Sequence, residues 1–136
     1  MDNRPIGVFD SGLGGLTAVK QLEKLLPGES IIYFGDTGRV PYGSRGKETI
    51  LRYARQDMDF LLSQNVKAVL AACGTVSSVA RSVGEALSVP YIDVIRPSAQ
   101  AAAAATKNGK IGVIGTAATI HSDSYRSALL CLNHKL

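Results

Sequence analysis

Short apolar runs alternate along this chain with segments in which apolar residues recur at helical spacing. The runs predict five strands, at Ile6–Phe9, Ser30–Phe34, Val66–Ala72, Tyr91–Ile95 and Ile111–Ile114. The helical spacing predicts five helices, at Leu16–Leu26, Lys47–Gln64, Val76–Leu87, Ser98–Lys107 and Ser122–Leu132. We expect Pro27, Pro97 and Gly109 to mark boundaries between elements, because proline and glycine interrupt regular structure.

The alternation of strands and helices predicts an α/β fold, in which a parallel sheet carries helices on both faces. Functional groups in such sheets gather where the strands end at their carboxyl side. Four predicted strands end in polar or glycine-rich loops, which are Asp10-Ser11-Gly12, Gly35-Asp36-Thr37, Cys73-Gly74-Thr75 and Gly115-Thr116. These loops are the first place to look for a site.

The composition is that of an ordinary globular protein, with 46% hydrophobic and 19% charged residues among 136. The longest apolar run, residues 99–105, is too short to span a membrane, and the N-terminus lacks the features of a signal peptide. We therefore expect a cytoplasmic protein. The net charge of +4 comes from scattered basic residues without an aromatic stacking series, which argues against a nucleic-acid partner.

The first loop, residues 10–15, reads Asp-Ser-Gly-Leu-Gly-Gly and leads into a predicted helix. Backbone amides at a helix N-terminus can face an anion. The glycines match neither a dinucleotide-binding nor a P-loop pattern, and Asp10 would repel phosphate, so a carboxylate or amino-acid ligand is favoured. Two alternatives stay open, a tight turn without a ligand and a role of Asp10 as the cap of the helix that follows.

Cys73 is the residue of greatest chemical interest. It follows a predicted buried strand and directly precedes a predicted helix, whose N-terminal partial charge favours a thiolate. Cys73 is therefore a candidate base or nucleophile. The alternative is a small buried apolar side chain, since free cysteines are among the most buried residues.

Metal and disulfide chemistry have little support. Cys73 and Cys131 show no CxxC spacing, and His121 and His134 lie at no metal-ligand spacing. We expect both histidines at the surface or as caps. No GxSxG motif for a serine nucleophile is present in the sequence.

Four segments, in order along the chain, resemble those of glutamate racemases. They are IGVFDSGLGGLTAV at 6–19, YFGDTGRVPYGSRGKETI at 33–50, AACGT at 71–75 and IGVIGTAATI at 111–120. The resemblance runs from about Arg4 to Leu129, and the second segment is far more specific than a glycine pattern alone.

The resemblance implies a two-lobed enzyme that interconverts L- and D-glutamate for peptidoglycan synthesis, without pyridoxal phosphate or a metal. In that family two cysteines on opposite faces of the substrate carry the proton, one as base and the other as acid. Two alternatives are an amino-acid-binding or interaction module without catalysis, and a related racemase acting on aspartate.

The resemblance also assigns roles by motif position. Cys73 would be the first catalytic thiol, and Asp10 the carboxylate that tunes or orients it. The substrate's charged groups would be held through hydroxyls and backbone amides, with Thr116 and Thr119 as weaker candidates. The predicted substrate-binding residues are Asp10, Ser11, Tyr42, Gly43, Gly74 and Thr75.

Three departures from the family pattern stand out. Cys73-Gly74-Thr75 replaces Cys-Asn-Thr, so an amide that would contact the substrate is missing. No Gly-Cys-Thr-His segment with the second catalytic cysteine occurs in these 136 residues, and the region around Cys131 does not match it. The resemblance also fades over residues 131–136.

By the same resemblance, residues 1–96 would form most of a first lobe, and residues 97–136 would begin a second. Both lobes would be incomplete in this chain. Exposed strand edges and uncovered apolar faces then favour self-association, so a homo-oligomer is expected.

Overall fold

The structure, a computed structural model, describes residues 2–132. Within this range four strands form one parallel sheet in the order β2-β1-β3-β4. The strands are β1 (Ile6–Asp10), β2 (Ile31–Gly35), β3 (Ala68–Ala71) and β4 (Tyr91–Asp93). Phe9 of the central strand β1 pairs with Phe34 on one side and with Ala71 on the other.

Seven helices accompany the strands in the described part of the chain. They are α1 (Leu16–Leu25), α2 (Lys47–Ser63), α3 (Gly74–Val79), α4 (Arg81–Glu85), α5 (Ile95–Ala105), α6 (Ala117–His121) and α7 (Ser124–Leu132). Because crossovers between parallel strands are right-handed, α1 lies on one face of the sheet, and α2, α3 and α4 lie on the other. Contacts of α2 with α3 and α4 agree with this arrangement. The predicted α/β fold is confirmed.

The core lies between the sheet and α2. Ile50, Ala54, Met58 and Leu61 recur along α2 at three- and four-residue spacing and are fully buried, in one cluster with Phe9 of β1. Burying a side chain the size of Ile50, Met58 or Leu61 stabilises the fold by about 1.5–3 kcal/mol. This packing fixes α2 against the sheet and gives the long β2–α2 loop a firm support.

The predicted fifth strand at Ile111–Ile114 is wrong. Residues 111–116 form no regular structure, and no strand of the sheet pairs with them. A strand requires a neighbour for its main-chain hydrogen bonds, whereas an apolar pattern indicates only that a segment favours burial. In this structure the side chain of Ile114 is 99% exposed.

Helix boundaries near β4 also differ from the prediction. The helix expected at Val76–Leu87 is divided at Ala80 into α3 and α4, and β4 ends before Ile95, which already belongs to α5. Pro97 does not interrupt structure as expected. It occupies the first turn of α5, where helix N–H groups have no intrahelical acceptor and proline is tolerated.

The last predicted helix, Ser122–Leu132, is found as α7, and the short helix α6 before it was not predicted. Asp123, with a φ of 58°, separates the two. No helix among residues 2–132 is long and apolar enough to cross a membrane. The prediction for His134 and the end of the predicted second lobe lie outside the described residues.

The hydroxyl of Tyr91 in β4 is buried and has no hydrogen-bond partner among the described residues. We expect Tyr91→Phe to leave the free energy of unfolding unchanged or to raise it by up to about 1 kcal/mol, because the ring is kept and an unsatisfied polar group is removed. Urea denaturation measures the change. The matched control is Tyr33→Phe, which removes a 2.7 Å hydrogen bond to the Gly12 carbonyl and should cost about 1 kcal/mol. Equal losses in both variants would contradict this account of Tyr91.

Candidate active site

The carboxyl ends of β1 and β3 bring two of the predicted loops together. Ser11 directly follows β1, and Cys73 lies two residues beyond the end of β3. The Cys73 thiol donates a hydrogen bond to Ser11 Oγ at 3.3 Å. Two residues predicted to share a site are therefore in contact, although they are far apart in the sequence.

Cys73 is the N-cap residue of α3, and its carbonyl accepts the first helical hydrogen bond, from the Ser77 N–H at 2.9 Å. The side chain is only 3% exposed and belongs to the buried apolar cluster around α2. Cys73 thus lies at the start of a helix, as expected for a reactive thiol, and is also buried, as expected for a small apolar side chain. Apolar side chains surround the thiol, and among residues 2–132 its one hydrogen-bond partner is the Ser11 hydroxyl.

Asp10 is the last residue of β1 and is 7% exposed. Its Oδ2 accepts a hydrogen bond from the Gly15 N–H at 2.9 Å, just ahead of α1, so the carboxylate does act at the start of this helix. A Cβ at position 15 would lie 2.7 Å from the Asp10 Cβ, which explains the glycine. Burial, and next the charge of Asp10, raise the pKa of Tyr33 to about 12.

Three threonine hydroxyls form a chain beside the start of α3. Thr75 Oγ1 lies 3.0 Å from Thr116 Oγ1, which in turn lies 3.0 Å from Thr119 Oγ1. Thr116 is the N-cap of α6 and accepts from the Thr119 N–H at 3.3 Å. The first turns of α3 and α6 therefore meet through hydroxyl groups, which can contact the polar groups of a ligand.

The two predicted glycines differ sharply in their surroundings. Gly43 packs on Thr116, because a Cβ at position 43 would lie 2.3 Å from the Thr116 Cβ. Its carbonyl accepts a hydrogen bond from the Ala118 N–H at 3.2 Å. Gly74 has no atom within 4 Å of the place where a Cβ would stand. The structure thus brings Gly43 to the threonine chain and leaves open space at position 74.

The Tyr42 hydroxyl does not face this site. It contacts Asp36 Oδ2 and lies 2.7 Å from Asp57 Oδ2 on α2, and the residue is 2% exposed. Burial raises the pKa of this hydroxyl well above its usual range, and the hydrogen bonds to the two carboxylates raise it further. A ligand at the threonine chain would meet the main chain of this segment instead of the tyrosine hydroxyl.

Arg39 joins the same buried carboxylates. Its guanidinium lies 2.5 Å from Asp36 Oδ2 and 2.5 Å from Asp57 Oδ1, and it stacks 4.3 Å from the ring centroid of Tyr53. Burial raises the pKa of Asp57 to about 6, although the bonds to Tyr42 and Arg39 oppose the rise. Asp36, Arg39, Tyr42 and Asp57 form a unit that we call the loop anchor.

Sequence reasoning missed the roles of Asp36, Arg39 and Asp57. One signal for Asp57 was present: it lies on the apolar stripe of α2, seven residues after Ile50 and four before Leu61. A carboxylate in such a stripe must find a charged or hydrogen-bonding partner, because an isolated buried charge is very costly. Its partners could not be inferred, since they depend on the path of the β2–α2 loop.

The remaining candidates lie elsewhere. His121 is exposed at the end of α6, as predicted. Cys131 is exposed on α7 and lines a cavity of about 570 Å³ together with Arg81 and Arg96, whereas Cys73 does not line it. Across residues 2–132, no group of three or more His, Cys, Asp or Glu side chains is arranged to hold a metal ion.

Comparison with known proteins gives one consistent result. Residues 6–133 match the family described as Asp/Glu/Hydantoin racemase. The chain is 51% identical over 137 residues to a glutamate racemase of Pediococcus pentosaceus, covering all of this chain and 52% of that protein. It is 55% identical over 126 residues to a glutamate racemase of Syntrophus aciditrophicus, covering 92% of this chain and 47% of that protein.

Solved structures agree. The glutamate racemase isoform RacE1 of Bacillus anthracis superposes with a TM-score of 0.95 at 44% identity, over 100% of this chain and 52% of that one. The glutamate racemase of Francisella tularensis, solved in complex with D-glutamate, superposes with a TM-score of 0.90 at 47% identity, over 99% of this chain and 51% of that one. The chain thus spans about half the length of the curated relatives it matches.

The contrast between the two glycines predicts opposite effects on stability. Gly74→Ala should raise the free energy of unfolding by about 0.4–1 kcal/mol, because it restricts the unfolded chain and its Cβ enters open space. Gly43→Ala should lower it by about 1–3 kcal/mol, because its Cβ would overlap Thr116. Urea denaturation of both variants is the measurement. A loss at position 74 as large as that at position 43 would refute the described surroundings.

The raised pKa of Asp57 predicts a pH-dependent stability. Since folding raises this pKa from 3.8 to about 6, the folded state favours the neutral carboxyl. The stabilisation that the raised pKa of Asp57 gives the folded state is complete below about pH 4. It is lost as the pH rises through about 6, and the total change is about 3 kcal/mol. Asp57→Asn removes this titration, so the difference in unfolding free energy between the variant and the parent should change across this range. Parallel stability curves for Asp57→Asn and the parent would contradict the assignment.

Proposed function

Because the chain belongs to the Asp/Glu/hydantoin racemase family, we propose that it supplies one half of a glutamate racemase. The observation that carries this proposal is the contact between Cys73 and Ser11 beside the threonine chain. The names of the relatives at about half identity favour glutamate over aspartate as the substrate.

In the proposed reaction, the thiolate of Cys73 removes the α-hydrogen of glutamate as a proton. The Cα–H bond breaks, an S–H bond forms, and the electron pair left on the α-carbon is delocalised into the adjacent carboxylate. A thiol on the opposite face then donates a proton to the α-carbon, which inverts its configuration. No cofactor takes part in this scheme.

The other predicted residues would bind and orient the substrate. Ser11 contacts the Cys73 thiol directly, and Asp10 is its neighbour in the chain, so the carboxylate would orient the base from the end of β1. Thr75, supported by Thr116, offers a hydroxyl, and Gly43 offers main-chain groups next to it. These donors suit the carboxylates of glutamate.

Gly74 weakens this proposed substrate site. Its position faces open space, where the asparagine of the family pattern would extend an amide. Loss of one such hydrogen bond costs on the order of 1 kcal/mol of binding free energy. We infer that this chain holds glutamate less tightly than a site with the amide.

The wider setting of the activity is part of the same proposal. The chain would provide a first lobe up to residue 96 and the beginning of a second lobe, and the enzyme would supply D-glutamate for peptidoglycan in the cytoplasm. Exposed apolar residues support self-association into a homo-oligomer, with Leu25 at 76% and Ile114 at 99% exposure.

An amino-acid-binding role without catalysis is the second candidate. The observation that favours it is the position of Cys131, the other cysteine of these 136 residues, which is exposed on α7 in a cavity that Cys73 does not line. One thiol at the site can bind or deprotonate a substrate. Inversion requires an acid on the opposite face as well.

Exchange of the glutamate α-hydrogen in deuterated water tests the role of Cys73, because a single base can wash out this hydrogen without inversion. We expect the chain to incorporate deuterium, and Cys73→Ala to slow the incorporation by at least about 100-fold. Proton NMR of L- and D-glutamate gives the rate. The matched control is Cys131→Ala, which should exchange like the parent.

Two outcomes would overturn the catalytic proposal. Equal exchange rates for Cys73→Ala and the parent would remove the thiol from the mechanism. Calorimetric binding of glutamate without any exchange would favour the non-catalytic binding role instead.

A further inference from the structure

The loop from Asp36 to Gly46 is a long connection of 11 residues between β2 and α2. It leaves the carboxyl end of β2, carries Gly43 to the threonine chain and ends at α2. Long loops in compact domains are commonly functional, and they need anchors to hold a defined shape. The loop anchor, defined above as Asp36, Arg39, Tyr42 and Asp57, holds this loop against α2.

Hydrogen-bond counting identifies the protonation state in which every contact of the anchor is satisfied. The Tyr42 hydroxyl lies within hydrogen-bonding distance of both Asp36 and Asp57 but has one hydrogen to donate. Ionised carboxylates only accept, so with both ionised one of these contacts would be repulsive. Both are satisfied when Asp57 is protonated and donates to the Tyr42 oxygen, while Tyr42 donates to Asp36. Arg39 remains paired with both carboxyl groups.

The ring of Tyr42, which the loop anchor holds, belongs to the residue directly before Gly43 of the candidate site. Tyr42 is held at its hydroxyl by α2, and Gly43 follows directly. The Gly43 carbonyl accepts from the Ala118 N–H of α6, and its α-carbon packs on Thr116, which contacts Thr75. Because Tyr42 and Gly43 are adjacent in the chain and Gly43 packs closely on Thr116, we expect a shift of Tyr42 to displace Gly43 relative to Thr116.

We propose that Asp57, acting through Tyr42, is a positioning residue that seats the Gly43 main chain against Thr116 in the candidate site. This inference deepens the proposed function and relies on it for the identity of the ligand, glutamate. It assigns a role to a buried carboxyl group on a helix that contributes no other residue to the site. A buried ionisable group adds little net stability on average, so we assign Asp57 to the loop geometry that its contacts with Tyr42 and Arg39 specify.

NMR of the 136-residue chain tests the positioning directly. The reporter is the amide of Ala118, which donates to the Gly43 carbonyl, and the reference is the amide of Val69, which donates to the Pro90 carbonyl in the core of the sheet. In Asp57→Ala, hydrogen exchange at Ala118 should accelerate by about tenfold more than at Val69, because the loop loosens locally. Asp59→Ala, an exposed change on the same helix, should leave the ratio within about twofold.

The conservative variant separates positioning from packing. Asp57→Asn mimics the protonated carboxyl, with an NH₂ that can donate to Tyr42 and an oxygen that can accept from Arg39. We expect it to restore the Ala118 exchange ratio and the chemical shift of the Gly43 amide. In the parent chain the Gly43 amide shift should move with a midpoint near the pKa of Asp57, about 6, and this step should vanish in Asp57→Asn.

Glutamate titration completes the test and separates the two proposals. We expect Asp57→Ala to weaken binding of glutamate by about tenfold, and Asp57→Asn and Asp59→Ala to bind like the parent. Failure of the parent to bind glutamate would count against the proposed function of this chain and leave the amide measurements to decide the positioning. Unchanged Ala118 and Gly43 signals in Asp57→Ala, or no titration step in the parent, would overturn the positioning role whether or not glutamate binds.

Discussion

The parallel pairing of β1 with β3 is the constraint on which the candidate site depends. Phe9 pairs with Ala71, so the chain leaves both strands at the same edge, and Ser11 and Cys73 meet there directly. The apolar contacts of α2 with β1 keep this register, because a shifted strand would expose its buried residues. Helix α3 begins directly after Cys73 at this edge, and its residue Thr75 joins the threonine chain there.

Burial of polar groups shapes the rest of the site. Tyr42 lies in the core, and its hydroxyl is satisfied by two carboxyl groups that are also paired with Arg39. The hydroxyl is therefore committed to the interior, and this loop presents main chain to the site. Tyr91 shows the opposite case, since its buried hydroxyl has no partner in the described part of the chain. The hydrogen bonds of Tyr42 hold the β2–α2 loop in one conformation, whereas Tyr91 of β4 serves mainly to fill space in the core.

The chemistry proposed for the chain has a clear stereochemical requirement. Inversion at the α-carbon needs a base on one face and an acid on the other. In the proposed scheme Cys73 would provide the group for one face, while Cys131 lies on α7 in a cavity that Cys73 does not line. The chain spans about half the length of its curated relatives, and deprotonation and binding are the steps that we propose for its own residues.

The order of the four strands, the helices α1, α2 and α5, the parallel sheet and the contact of Cys73 with Ser11 could be predicted from the sequence, because hydrophobic periodicity and glycine-rich turns are local signals. The buried stripe of α2 was visible in the same way, with Asp57 as its one discordant residue. Tertiary contacts decided the rest. Residues 111–114 have the apolar pattern of a strand yet pair with no strand of the sheet, since a strand depends on a neighbour that no local pattern encodes. The Tyr42 side chain is buried because its partner Asp57 lies on the distant helix α2. Pro97 lies in the first turn of α5, because packing between distant segments sets where that helix starts.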